Sequence, residues 1–138
     1  MENLSLILDT SFLIALNDSG DHKHESALAL KSKIKNKEFG QCFISDYIFD
    51  ELVTFLRAKS IPDDKINAIG DALLSDPTIE RFNIDEEIFS QSWENFKKTS
   101  KLSFTDCTTI TLAKKFGVKN IASFDSDFDK FSHIKRIE

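Results

Sequence analysis

The chain contains no apolar stretch long enough to span a bilayer, and it opens Met1-Glu2-Asn3 without the basic flank of a secretory leader. The expectation is therefore a cytoplasmic protein that makes no use of a membrane. Cysteine is scarce: Cys42 and Cys107 are too few for a disulfide framework and lack metal-ligand spacing, so they read as buried, reduced thiols. Glycine and proline are scarce too, four and two residues respectively. No linker or low-complexity tract divides residues 1–138, which form one domain large enough to bury a core. Gly20, Gly40, Gly70 and Gly117 stand alone, which excludes a glycine-rich phosphate loop. No serine or cysteine has the histidine–acid context that covalent hydrolysis needs. Basic residues are outnumbered, 18 against 23, for a net charge of -5, which argues against a protein that coats nucleic acid by charge alone.

What is present alternates. Residues 4–8, 41–45, 78–83 and 120–124 read as short buried strands, with 134–137 as a short fifth. Between them lie helical patterns. Thr10 or Ser11 can cap a helix carrying Phe12 to Leu16, and further helices cover about 22–37, 46–59, 62–75, 86–99 and 104–116. Pro62 opens one helix, and Gly117 ends the last. Strands separated by helices pair in parallel through right-handed crossovers, so the fold class is α/β. The thirteen phenylalanines read mostly as core, some of them forming a subunit interface with Ile66, Ile69 and Leu73. Lys31, Lys33, Lys35 and Lys37 spread around a helix as a solvated face, whereas Lys97, Lys98, Lys101, Lys114 and Lys115 are placed to contact phosphates. Asp21-His22-Lys23-His24 is not a metal site, because two helical side chains two residues apart point some 200° from each other.

Four acids sit where a carboxylate is hard to explain structurally. Asp9 follows the first strand and Asp125 the fourth, which places both at the carboxyl edge of the sheet, where open α/β sheets bind ligands. On the helix at 46–59, Glu51 shares a face with Ile48, Leu52 and Phe55, while Asp50 points to solvent. Asp106 points between Ile110 and Ala113, with Thr108 and Lys115 on the far side. An inward carboxylate is costly unless something positive meets it, and the chain has too few buried cations to meet four. Crowded carboxylates also raise one another's pKa values. A hard divalent ion such as Mg²⁺ or Mn²⁺ relieves both costs, and it activates water and stabilises charge on a phosphoryl group. Asp127 is a rival or additional ligand, and Asp129 an exposed acid.

The runs Leu6-Ile7-Leu8-Asp9-Thr10-Ser11-Phe12-Leu13, Ser45-Asp46-Tyr47-Ile48-Phe49-Asp50-Glu51-Leu52, Leu102-Ser103-Phe104-Thr105-Asp106-Cys107 and Ser123-Phe124-Asp125-Ser126-Asp127-Phe128 resemble, in order and spacing, the motifs of the PIN domain. Within that family the chain is similar to the small VapC-like toxins of prokaryotic toxin–antitoxin pairs. The resemblance implies a three-layer fold with a central, mostly parallel sheet of four to five strands flanked by helices. It carries the family's metal-site acids to Asp9, Glu51, Asp106 and Asp125, with Asp127 accessory. The family's hydroxyl residues carry over to Ser11, with Thr10 beside it, and to Ser123, which stands where threonine is common. Implied with them are a Mg²⁺- or Mn²⁺-dependent endoribonuclease, an RNA substrate, a homodimer and a small inhibitory antitoxin. Other functions share parts of the pattern: a housekeeping RNA-processing nuclease, a silent binding domain, or an aspartate-based phosphatase. The phosphatase would want a second aspartate where Ser11 stands, and a phosphoacceptor signalling domain would want a lysine where Asp125 stands.

Overall fold

A computed structural model describes residues 4–138; residues 1–3, whose lack of a basic flank bears on secretion, lie outside the described residues. The elements follow the order β1 (Ser5–Leu8), α1 (Thr10–Asn17), α2 (His24–Lys35), β2 (Gln41–Ser45), α3 (Asp46–Ala58), α4 (Asp63–Ser75), β3 (Ile79–Phe82), α5 (Glu86–Lys97), α6 (Phe104–Phe116), β4 (Asn120–Ala122), a 3-10 turn (Ser126–Lys130) and β5 (Lys135–Ile137). The strands form one sheet ordered β3-β2-β1-β4-β5. Every pairing is parallel, so the sheet is wholly and not just mostly so. Chain order steps outward from β1 through β2 to β3, then returns to the other side of β1 for β4. The reversal between β1 and β4 is the topological switch point at which such sheets open a crevice.

Strand periodicity builds three layers. Leu6 pairs with Cys42, and Ile7 with Phe43, so alternate residues face opposite sides. Leu8, Cys42 and Ile79 face a layer of α1, α2 and α4. On the other side Phe43 stacks on Phe82, and Phe82 on Phe116 of α6, at 4.8 and 4.9 Å between ring centroids. Covering both faces explains why Leu6, Ile7 and Leu8 are all buried. No helix among the described residues is long and apolar enough to cross a membrane.

Several boundaries differ from the sequence expectation for local physical reasons. Helix α1 is capped by Asp9 itself, whose Oδ2 accepts from the Ser11 N–H at 3.4 Å, and neither Thr10 nor Ser11 serves as the cap. Strand β4 ends at Ala122; the Ser123 N–H still donates to the Ile137 carbonyl at 3.1 Å, and beyond it the N–H groups leave the ladder, Phe124 donating to Ser11 Oγ and Asp125 to Ser123 Oγ, both at 3.0 Å. Helix α2 starts at His24, since Asp21 accepts from Lys23 N–H at 2.8 Å and holds the chain in a turn. On the far side of α6 Thr108 is buried and Lys115 exposed, and the threonines Thr109 and Thr111 are buried as well. Their hydroxyls donate to carbonyls of Thr105 or Cys107 in the same helix, which satisfies each of them locally. Of the thirteen phenylalanines, Phe12 and Phe128 are fully buried, and Phe39, Phe43, Phe82, Phe96, Phe124 and Phe131 pack partly buried against the core, so most do belong to it. Ile66 is buried, while Ile69 and Leu73 line an apolar groove beside α4.

Two glycines hold left-handed backbone, Gly40 at φ 77° and Gly117 at φ 68°. A Cβ on Gly40 would collide with the carbonyl of Leu4, whereas one on Gly117 would meet open space. Gly40→Ala should therefore lower stability by on the order of 2–3 kcal/mol and Gly117→Ala by only about 1 kcal/mol. Denaturant unfolding of the two variants checks the ranking, and equal losses would show that the Leu4 contact does not constrain the turn.

Candidate active site

The switch point gathers the four acids from four separate stretches of chain. Asp9 ends β1 and is hydrogen-bonded across to β4, its N–H donating to the Ala122 carbonyl at 3.0 Å. Asp125 follows β4 and caps the 3-10 turn, accepting from Asp127 N–H at 2.9 Å. Glu51 lies half-buried one turn into α3, beside the buried Ile48 and Leu52, with Phe55 at 37% exposure beyond it. Asp50 is exposed, as its helical position requires. Asp106 stands in the first turn of α6 and makes a reciprocal capping box with Ser103, each side chain accepting the other's backbone N–H at 3.1 Å.

Asp9 is the most buried of the set, at 2% exposure. Its Oδ2 accepts from the hydroxyls of Ser11 and Ser123, both at 2.8 Å. Each hydroxyl in turn receives a backbone N–H, from Phe124 and Asp125 respectively. With their oxygens so occupied, both hydroxyls are oriented to donate toward the carboxylate, a polarised relay that favours its ionised form. Asp9 Oδ1, by contrast, is buried with no hydrogen-bond partner. Burial outweighs the serine hydrogen bonds and pushes the Asp9 carboxyl above the ordinary range. Thr10 Oγ1 is also buried without a partner and takes no part in the relay.

Asp106 shows that the acids share one field. Burial, then the negative charge of Asp9, with those of Glu51 and Asp125, pushes its carboxyl up to about 7, against an opposing hydrogen bond from Ser103. Asp127 is not among the charges acting on it, and its carboxylate faces Lys130 Nζ at 3.8 Å. Asp129 is taken by Arg136, which chelates both carboxylate oxygens at 2.9 and 3.1 Å. Among the described residues no ion pair engages Asp9, Glu51, Asp106 or Asp125. The lysines placed for phosphates are partly engaged: Lys97 pairs with Glu94, and Lys115 with Asp85 and Glu87. His22 is exposed near Asp21, and His24 Nδ1 is tied to the Ala15 carbonyl at 2.7 Å, so the two histidines converge on nothing.

A divalent cation suits this set. An unpartnered buried oxygen on Asp9 and an Asp106 whose pKa is raised by burial and by the neighbouring acids are the costs such an ion removes. Among the described residues no group of three or more His, Cys, Asp or Glu side chains stands close enough together to hold a metal ion as the side chains are placed. An open acidic set fits an ion that keeps several of its waters and takes few carboxylates directly.

The raised pKa belongs to the folded chain. Between the ordinary aspartate value of 3.8 and about 7 the folded chain holds a proton that the unfolded chain has lost. Metal-free stability should therefore fall as pH rises through that window and level off above it. Thermal melts of wild type and Asp106→Asn from pH 4 to 8 check this; the variant should flatten the slope and melt higher than metal-free wild type at pH 8. Mn²⁺ affinity should run the other way, rising with pH and levelling near 7, and a calorimetric titration at three pH values reads it.

Comparison with known proteins agrees with this geometry. The family profile of the PIN domain matches residues 6–134. A "VapC ribonuclease" of Archaeoglobus fulgidus is 24% identical over 128 residues, covering 91% of this chain and 80% of the relative. The "23S rRNA-specific endonuclease VapC20" of Mycobacterium tuberculosis is 26% identical over 123 residues, covering 89% of this chain and 91% of the relative. Its crystal structure, described as a sarcin–ricin loop cleaving toxin, matches this fold with a TM-score of 0.80, 24% identity and coverage of 91% and 93%. A toxin–antitoxin complex from Klebsiella pneumoniae contains a chain of the same fold, with a TM-score of 0.62, 19% identity and coverage of 94% and 95%. The doubly wound parallel sheet, with its acids at the switch point, and the matched profile together make this chain a member of the PIN domain family.

Proposed function

We propose that the chain is a metal-dependent endoribonuclease that hydrolyses RNA phosphodiester bonds in the cytoplasm, as the toxin of a toxin–antitoxin pair. The observation that carries the catalytic part is Asp9 Oδ1, a buried carboxylate oxygen without a partner amid acids that hold Asp106 near neutrality. The toxin part rests on the ribonuclease and toxin relatives, which align with nearly the whole chain.

Asp9, Asp106 and Asp125 would hold Mg²⁺ or Mn²⁺, with Glu51 reaching the ion through water or orienting the attacking water. When bound, such an ion makes water a better nucleophile and offsets the charge that builds on the phosphoryl oxygens. The chain's own residues supply positioning. Ser11 and Ser123 fix Asp9 through Oδ2 and leave Oδ1 without a hydrogen bond, free to take a cation. Ser123 also holds the Asp125 backbone, tying two proposed ligands to one hydroxyl. Ser103 fixes Asp106 from the helix end, which limits the freedom this one ligand would lose when an ion arrives.

The protein partners in this reading are a second copy of the chain and a small antitoxin. Unfilled apolar surface is available for them. A groove of about 950 Å³ beside α1, α2 and α4 carries Leu16, Ile69 and Leu73 with Lys31, Lys35 and Lys65 among its lining residues, and a cleft of about 740 Å³ lies between α3 and α4.

Purified protein should cleave end-labelled RNA with Mn²⁺ or Mg²⁺, and chelator or Asp106→Asn should lower the rate at least 100-fold. Cleavage that survives both would refute the assigned site. Expression should arrest growth, with relief by Asp106→Asn or by coexpression of the neighbouring small gene. Growth unaffected by an RNA-cleaving wild type would point to a housekeeping nuclease instead.

A further inference from the structure

The segment from Ser123 to Asp129 carries three aspartates, and each is treated differently by the fold. Asp127 faces Lys130 Nζ at 3.8 Å. Asp129 is chelated by Arg136 of β5, through Nε at 2.9 Å and Nη2 at 3.1 Å. Asp125 has no ion pair among the described residues. Arg136 does more than neutralise Asp129. Its Nη1 donates to the Ser123 carbonyl at 3.3 Å and to Glu138 Oε2 at 2.8 Å. One guanidinium therefore grips both ends of the segment that carries Asp125, and its side chain is only 14% exposed. Between those ends the buried Phe128 pins the 3-10 turn to the core.

We propose that Arg136 is a positioning residue of the cation site, setting the place of Asp125 and, through Ser123, that of Asp9. The inference rests on the reading of these acids as cation ligands and adds a residue from outside the acidic set. Ser123 is the junction that carries the effect. Its carbonyl takes Arg136, while its hydroxyl donates to Asp9 Oδ2 and accepts the Asp125 N–H. Ser123 lies just past the end of β4, where its N–H bond to Ile137 and its carbonyl bond to Arg136 are what tie it to β5. The pair with Asp129 is bidentate, so it fixes orientation as well as distance, which a lysine at this place could not do. Lys97–Glu94 and Lys130–Asp127, by contrast, join neighbours three residues apart and constrain little beyond their own turn.

Charge gives the test its sign. A guanidinium beside a cation site repels the ion, so neutralising it would tighten cation binding if charge were its whole effect. Lost positioning acts in the opposite direction, since removing outer-shell partners weakens metal binding. Thermal melts first fix a temperature at which each variant is folded, and Mn²⁺ is then titrated calorimetrically below it. Arg136→Met should weaken Mn²⁺ on the order of ten-fold. Arg136→Lys keeps the charge and loses the fork; it should also weaken Mn²⁺ several-fold, whereas charge alone would leave the affinity unchanged. Glu138→Gln removes an ion pair of Arg136 without touching the segment, and its Mn²⁺ affinity should stay near wild type even where it melts lower. Unchanged or tighter Mn²⁺ binding by folded Arg136→Met and Arg136→Lys would overturn the positioning role and leave the acidic site intact. A wild type that binds no Mn²⁺ would reject the cation site and this role with it. If the wild type binds Mn²⁺ but cleaves no RNA, the nuclease reading fails while the calorimetric comparison still decides the role of Arg136.

Discussion

Asp9 places a carboxylate inside the protein with one oxygen saturated and the other unmet. Ser11 and Ser123 both donate to Oδ2, and Oδ1 is buried with no partner. A charge so placed is tolerated only because the surrounding structure fixes it: the relay from Phe124 and Asp125 through the two serines is part of the backbone that ends β4. The turn that carries Asp125 and the hydroxyl that holds Asp9 are therefore one construction. Removing Ser123 would release both proposed ligands together.

The same residues that cap helices here also carry charge toward the site. Asp9 caps α1 with Oδ2, and Asp106 completes a capping box with Ser103. Helix N-termini favour anions, so each cap offsets part of the cost of placing an acid at this edge. The offset is incomplete. Burial still raises Asp9, and burial with the charges of its neighbours pushes Asp106 up to about 7, which leaves the metal-free domain with unmet electrostatic demand. Strain of this kind concentrates at functional sites, where a bound cation turns a folding cost into ligand affinity.

Much of the architecture was legible in the sequence. Helices α3 and α6 have termini marked by Ser45, Ser103 and Gly117, and strands β1 and β2 are short apolar runs. Post-strand position alone placed Asp9 and Asp125 at the sheet's carboxyl edge, and helical phase turned Glu51 inward while leaving Asp50 in solvent. Phase put Thr108 opposite Asp106 but could not tell that this side too is buried, where the α6 threonines satisfy their hydroxyls within the helix. Most phenylalanines do lie in or against the core, as their hydrophobicity favours, while Phe55, Phe89 and Phe116 stay exposed on three different helices.

The chain order of strands and helices, the α/β class and the post-strand places of Asp9 and Asp125 were thus determined by the sequence, because periodicity and capping are local properties. Only the tertiary structure decided that β1 lies beside β4, which brings Asp9 to Ser123 across 114 residues of chain. It also decided that Asp127 turns to Lys130 while Asp106 shares a field with Asp9, Glu51 and Asp125. The orphaned oxygen of Asp9 belongs to neither residue type nor spacing. It arises from the exclusion of water by packing, and packing is a property of the whole fold.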